Sequence, residues 1–143
     1  MEREHGFSLV ELLIVVSIIT IIAAVAVPSL ISSKVAANES SAISSVRTIT
    51  TAQFTYAATL GSGTYSADLP TLQGASLIDN ALGGGSKDGY NFTTSSGADT
   101  FTVTAVPVDP GVTGERGFFS DQTGVIRYND SGAAGPADPP VGG

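Results

Sequence analysis

Residues 6–31 read G-F-S-L-V-E-L-L-I-V-V-S-I-I-T-I-I-A-A-V-A-V-P-S-L-I, and between Phe7 and Ile31 the sole charge is Glu11. At 1.5 Å per residue a helix from Phe7 to Pro28 spans about 33 Å, close to the ~30 Å hydrocarbon thickness of a bilayer. The stretch is too long for the apolar region of a secretory signal peptide. Its N-terminal flank has one base, Arg3, against Glu2 and Glu4, and Lys34 follows on the other side. Loop charge therefore says little about orientation in a membrane.

Beyond Pro28 polarity rises while the helical period persists. Val35, Ala42, Ile43, Val46, Ile49, Ala52 and Tyr56 recur at three-, four- and seven-residue intervals and form one apolar stripe. Asn38, Glu39, Arg47 and many Ser and Thr occupy the other faces. This is the pattern of a helix half-packed on a domain. Gly61, Ser62 and Gly63 supply stop signals, so the helix is expected to end near Leu60. A continuous helix over that span measures roughly 80 Å, far more than a small globular domain requires.

Residues 61–89, with Gly61, Gly63, Pro70, Gly74 and the triplet Gly83, Gly84 and Gly85, show no sustained period and read as a loop region with one short helix near Leu77 to Leu82. Tyr90, Phe92 and Thr94, then Phe101, Val103 and Ala105, alternate with polar residues and imply a hairpin turning at Ser96 to Asp99. Phe118 and Phe119, a turn at Asp121 to Gly124, then Val125, Ile126 and Tyr128 imply a second. The tail from 130 to 143 is rich in Gly, Ala and Pro and reads as mobile. The fold class expected is α+β: a long N-terminal helix packed through its C-terminal half on a small antiparallel sheet.

Composition removes several function classes. Thirteen acidic residues against six basic ones, without a basic run, leave no electrostatic footprint for nucleic acid as a primary partner. There is no Cys, so disulfides and thiolate metal sites are excluded. The single His, His5, precedes the apolar segment, and a mature chain cut downstream of it has no Ser-His-Asp, Cys-His or His-metal arrangement. No catalytic constellation stands out in residues 61–143, and neither a cofactor nor a metal is implied.

Glu11 is the residue that needs a reason. A carboxylate central in a spanning helix costs roughly 2.5–3.5 kcal/mol on insertion scales, and less near the interface. One explanation is a shallow position, where the acid favours the positive end of its own helix. Another follows if the chain is cut after Gly6. The freed amine of Phe7 then lies four residues from Glu11 and can pair with its own Glu11 or with that of a neighbouring helix. In a low-dielectric bundle, pairing between neighbours strongly favours one axial stagger.

Gly6, Phe7, Glu11, the apolar run and Pro28, read together, resemble the type IV pilin-like proteins, which comprise type IV pilins and the pseudopilins of type II secretion. The resemblance covers about the first 50 residues, and beyond them only the architecture matches. It implies a leader over residues 1–6, cleavage by a prepilin peptidase between Gly6 and Phe7, and methylation of the Phe7 amine. Residues 7–31 then form a transmembrane and assembly helix, 32–60 its amphipathic half, 61–89 the loop region, and 90–129 the sheet. It also implies that Glu11 neutralises a neighbour's Phe7 amine and that Pro28 kinks the helix. The precursor waits in the inner membrane with its C-terminal domain outside the cytoplasm. An assembly platform and a cytoplasmic ATPase then build it into a homopolymer.

The resemblance points most to a subunit of a type IV pilus at the cell surface, and alternatively to a periplasmic pseudopilin or a minor pilin. The acidic calcium-binding loop expected of the major pseudopilin is not seen, which favours the pilus. Other departures are Glu2 and Glu4 where bases are usual, Thr20 where many pilins carry Gly, and the lack of a C-terminal disulfide loop.

Three further patterns are weak. Gly83, Gly84, Gly85, Ser86 and Lys87 lack the Gly-Lys-Ser/Thr order of a phosphate-binding loop and read as a plain loop. Asn38, Asn91 and Asn129 open N-x-Ser/Thr triplets in a chain where Ser and Thr are common. Asp109, Asp121 and Asp130 read as solvated turn residues before they read as a cation site.

Overall fold

The computed structural model describes residues 6–97 and 99–142. The leader expected over residues 1–6 therefore lies, apart from Gly6, outside the described residues, as does His5. Two compact units are present, Met1–Ser33 and Lys34–Gly143. One helix, α1 (Leu9–Thr59), contributes to both, and it continues through Pro28 without a break.

In the first unit α1 carries its apolar side chains exposed. An 18-residue window of the helix has a mean hydropathy of 2.9 and none of it is buried, so the helix is long and apolar enough to cross a membrane. The hydroxyls within this stretch are turned inward on the helix itself: Ser17 donates to the Leu13 carbonyl and Thr20 to that of Val16, both at 2.8 Å. The same bond to the carbonyl four residues back recurs along the rest of α1, for instance at Ser33, Ser40, Thr48 and Thr55.

In the second unit Ala42, Val46, Ile49 and Ala52 of α1 are buried on a five-stranded antiparallel sheet, with Ile43 and Tyr56 at the margin. The strands are β1 (Ser86–Lys87), β2 (Tyr90–Ser96), β3 (Phe101–Pro107), β4 (Gly117–Asp121) and β5 (Arg127–Asn129), in that spatial order. Register follows from the period-2 alternation. Phe92 faces Ala105, Thr94 faces Val103 and Ala105 faces Phe118, which puts these side chains on the helix side of the sheet. Tyr90, Phe101, Phe118, Val103 and Ile49 are fully buried there. Each large apolar side chain so buried stabilises the unit by about 1.5–3 kcal/mol. The fold class is α+β as expected, and both hairpins form.

The loop region differs from expectation. It holds two short helices, α2 (Leu69–Gly74) and α3 (Asn80–Gly83), rather than one over Leu77 to Leu82. Each begins at an aspartate. Asp68 Oδ1 accepts the Thr71 N–H and Asp79 Oδ1 accepts the Leu82 N–H, both at 2.8 Å. Pro70 stands in the first turn of α2, where a missing N–H costs nothing.

Two buried polar side chains help tie the helix to what surrounds it. Gln53 is fully buried; its amide donates to the Ser66 carbonyl and to Thr94 Oγ1 and accepts the Ser66 N–H at 2.8 Å, which joins α1 to the loop region and to β2. Glu39, also buried, accepts the backbone N–H groups of Glu115 and Arg116 on one oxygen and the Arg116 guanidinium on the other, at 2.9 Å from Nε and 2.7 Å from Nη2. That guanidinium lies 5.2 Å from the ring centre of Tyr128 and 5.7 Å from that of Phe118. Burial pushes the Tyr90 phenol upward in pKa, and its hydroxyl donates to the Arg116 carbonyl at 2.8 Å.

The tail also departs from its composition. Read as mobile, residues 130–142 instead return along β5. The Tyr128 N–H donates to the Pro139 carbonyl and the Val141 N–H to that of Ile126, while Arg127 Nη1 holds the Asp138 carbonyl at 2.8 Å. Asp138 Oδ2 accepts the Gly135 N–H, closing the bend. The backbone at Gly132 passes so near Gly117 that a Cβ there would meet the Gly132 carbonyl oxygen at 1.9 Å. The tail thus covers a sheet edge that would otherwise present unpaired backbone groups. Deleting residues 134–143 is expected to lower the urea midpoint and promote aggregation, read by tyrosine fluorescence and light scattering. At about 1 kcal/mol per lost hydrogen bond, the cost is about 2–4 kcal/mol.

Candidate functional site: the head of the apolar helix

The first four N–H groups of a helix have no carbonyl within it to meet, and in an apolar surround an unmet donor is expensive. Here Ser8 and Glu11 supply acceptors. The Val10 N–H donates to Ser8 Oγ at 3.3 Å, and the Ser8 N–H donates to Glu11 Oε2 at 2.9 Å. The Leu12 N–H meets the Ser8 carbonyl at 3.2 Å and opens the regular ladder. Ser8 thus caps the helix through the N–H of its second residue while Glu11, its third, reaches back to the Ser8 N–H as in a capping box, and α1 starts at Leu9.

Of the residues singled out in the sequence, Gly6 and Phe7 therefore stand just outside the helix, and Phe7 is 86% exposed. Glu11 sits in the first turn, where an acid also favours the positive end of the helix. Among the described residues Glu11 makes its hydrogen bond with Ser8, a residue the sequence reading passes over. Its signal is the Ser-x-x-Glu spacing of residues 8–11 ahead of an apolar run. Pro28 lies well down the helix. Its ring nitrogen has no hydrogen, which leaves the Ala24 carbonyl without its usual donor, while the Ser32 hydroxyl donates to the Pro28 carbonyl at 3.2 Å.

Residues 1–27 match the family model of the prokaryotic N-terminal methylation motif. The match takes in Gly6, Phe7 and Glu11 together with most of the exposed apolar run, and it supports the pilin-like reading of a processed, membrane-held precursor. The methylation motif describes a segment that is modified rather than an enzyme. No curated protein and no solved structure matches the chain.

Elsewhere, among the described residues, no three His, Asp or Glu side chains gather as metal ligands. A cleft of about 390 Å³ beside β3 is lined by Glu115 and Asp130, and its lining hydroxyl, Ser131, is engaged with Asn129 Oδ1 at 3.0 Å. Asp121 is likewise engaged in its own turn, accepting the Thr123 N–H at 2.9 Å.

Proposed function

We propose that this chain is a structural subunit of a type IV pilus, polymerising through its N-terminal helix after a prepilin peptidase cuts between Gly6 and Phe7 and the new amine is methylated. The observation that carries the reading is the coincidence of the methylation motif with an apolar stretch, residues 7–31, whose one acid, Glu11, stands in the first turn of α1. The Gly6–Phe7 bond lies outside the helix, in backbone that needs no unwinding before cleavage. Before assembly the helix is held in the inner membrane. In the polymer, the helices bundle and the sheet unit faces outward.

Leaving lipid for a bundle of like helices brings little hydrophobic gain, because lipid is as apolar as the side chains. Packing and charge pairing must therefore set the geometry, and Glu11 of one copy takes the Phe7 amine of the next. An assembly platform and its ATPase supply the extraction.

Mass spectrometry of filaments sheared from the native cells tests this. The expected result is that this chain dominates the preparation and that its N-terminal peptide begins at methylated Phe7. A chain cut at Phe7 but confined to the envelope fraction supports the pseudopilin or minor-pilin alternative. A chain still carrying residues 1–6 in assembled filaments overturns the processing.

A further inference from the structure

Glu11 does not stand loose at the head of the helix. Its Cα is fixed in the first turn and its Oε2 is fixed on the Ser8 N–H. The side chain, which has three rotatable bonds before its carboxylate, is thereby held in one arrangement at no cost to a later binding step. Among the described residues Oε1 takes no hydrogen bond. The hold depends on Ser8 twice. Its backbone N–H is the donor, and its hydroxyl, by accepting the Val10 N–H, keeps the backbone of residue 8 at the N-cap, where that donor points back along the first turn.

We propose that Ser8 is a positioning residue for polymerisation: it fixes one oxygen of Glu11 within the chain and leaves the other for the Phe7 amine of a second copy. This rests on the pilin-like reading and adds to it a division of labour between the two carboxylate oxygens. The hydroxyl itself touches neither partner of the intersubunit pair. Without it the first turn frays, the Ser8 N–H drifts from Oε2, and Glu11 must be ordered anew each time a copy is added.

The test places Ser8→Ala, Ser8→Asn, Ser8→Thr and Glu11→Ala in the full chain, expressed in the cells that assemble it. Three quantities are read: the amount in the membrane, the mass of the N-terminal peptide, and the share recovered in sheared filaments. All four variants are expected to insert and to be cut after Gly6. Ser8→Ala is expected to reduce the filament share about five-fold, while Asn and Thr, which also cap helices, restore it to within about two-fold. With Glu11 already replaced by Ala, adding Ser8→Ala is expected to change nothing further.

Normal assembly of Ser8→Ala overturns the proposal. So does failure of Asn and Thr to restore assembly, since the side chain would then act otherwise than as a cap, and so does a Ser8→Ala chain left uncut. Normal filaments from Glu11→Ala overturn the underlying pairing itself, whereas a neutral Ser8→Ala beside a defective Glu11→Ala removes only the positioning role.

Discussion

A Glu11→Ala chain is expected to enter the membrane, to be cut after Gly6, and to leave almost no filaments. The expectation rests on magnitudes. At an effective dielectric of about 20, unit charges ~4 Å apart attract by about 4 kcal/mol, close to a thousand-fold in an association constant. In the proposed polymer every added copy makes the same contact, so the loss recurs along it. Insertion moves the other way, because removing a carboxylate from an apolar helix eases its entry into lipid. Comparing membrane-resident and sheared chain by quantitative mass spectrometry checks both halves. Glu11→Ala filaments as abundant as those of the parent would remove the ion pair from the account.

The second large effect is on stability. Glu39→Ala is expected to weaken the sheet-bearing unit by about 2–3 kcal/mol. Breaking a fully buried ion pair costs about 3–5 kcal/mol. The Arg116 side chain keeps 35% of its surface in water, so part of its charge is solvated when the partner goes, which argues for the lower figure. What remains is the desolvation of two backbone donors, the N–H groups of Glu115 and Arg116, that lose their acceptor. Urea unfolding of the detergent-solubilised chain, followed by tyrosine fluorescence in this Trp-free protein, measures the change. A midpoint shift equivalent to under about 0.5 kcal/mol would refute the estimate.

The same pair gives the unit an acid limit. Burial raises the Glu39 pKa, but the Arg116 guanidinium and the two backbone N–H groups more than offset this and hold the carboxyl below its ordinary 4.5. Because the folded value is depressed, the contribution of the pair is fully present above about pH 4.5 and is lost as pH falls through the lower folded value. Glu39→Gln is expected to flatten stability against pH in that acid range and to leave the neutral-pH slope unchanged.

Sequence alone makes the frame of this molecule legible, and the reasons are periodic. Twenty-five residues with one charge admit few readings other than an exposed apolar helix. The stripe from Ala42 to Ala52 and the alternation at Tyr90–Thr94 and Phe101–Ala105 report the two faces that meet. What escapes is aperiodic or distant. Helices of six and four residues, α2 and α3, complete at most one or two turns and show no period, although their aspartate caps are visible once sought. The Glu39–Arg116 pair joins residues 77 apart, and no local pattern announces it. The tail misleads because Gly, Ala and Pro serve mobile segments and tight returns alike. At the candidate site, the acid is conspicuous and the serine that orders it is not, since a lone hydroxyl before an apolar run draws attention only when paired with a glutamate three residues on.

Several hydroxyls of α1, among them those of Ser17, Thr20, Thr48 and Thr55, are closed onto the carbonyl one turn behind, with a consequence for transport between phases. A hydroxyl satisfied in this way carries its own hydrogen-bond partner wherever the helix goes. Lipid, water and the flank of a sister helix then present nearly the same hydrogen-bond balance to it, so that none of these surroundings holds it by a bond that must be broken on leaving. The cost of moving the segment between lipid and water is then set by its apolar side chains rather than by these hydroxyls.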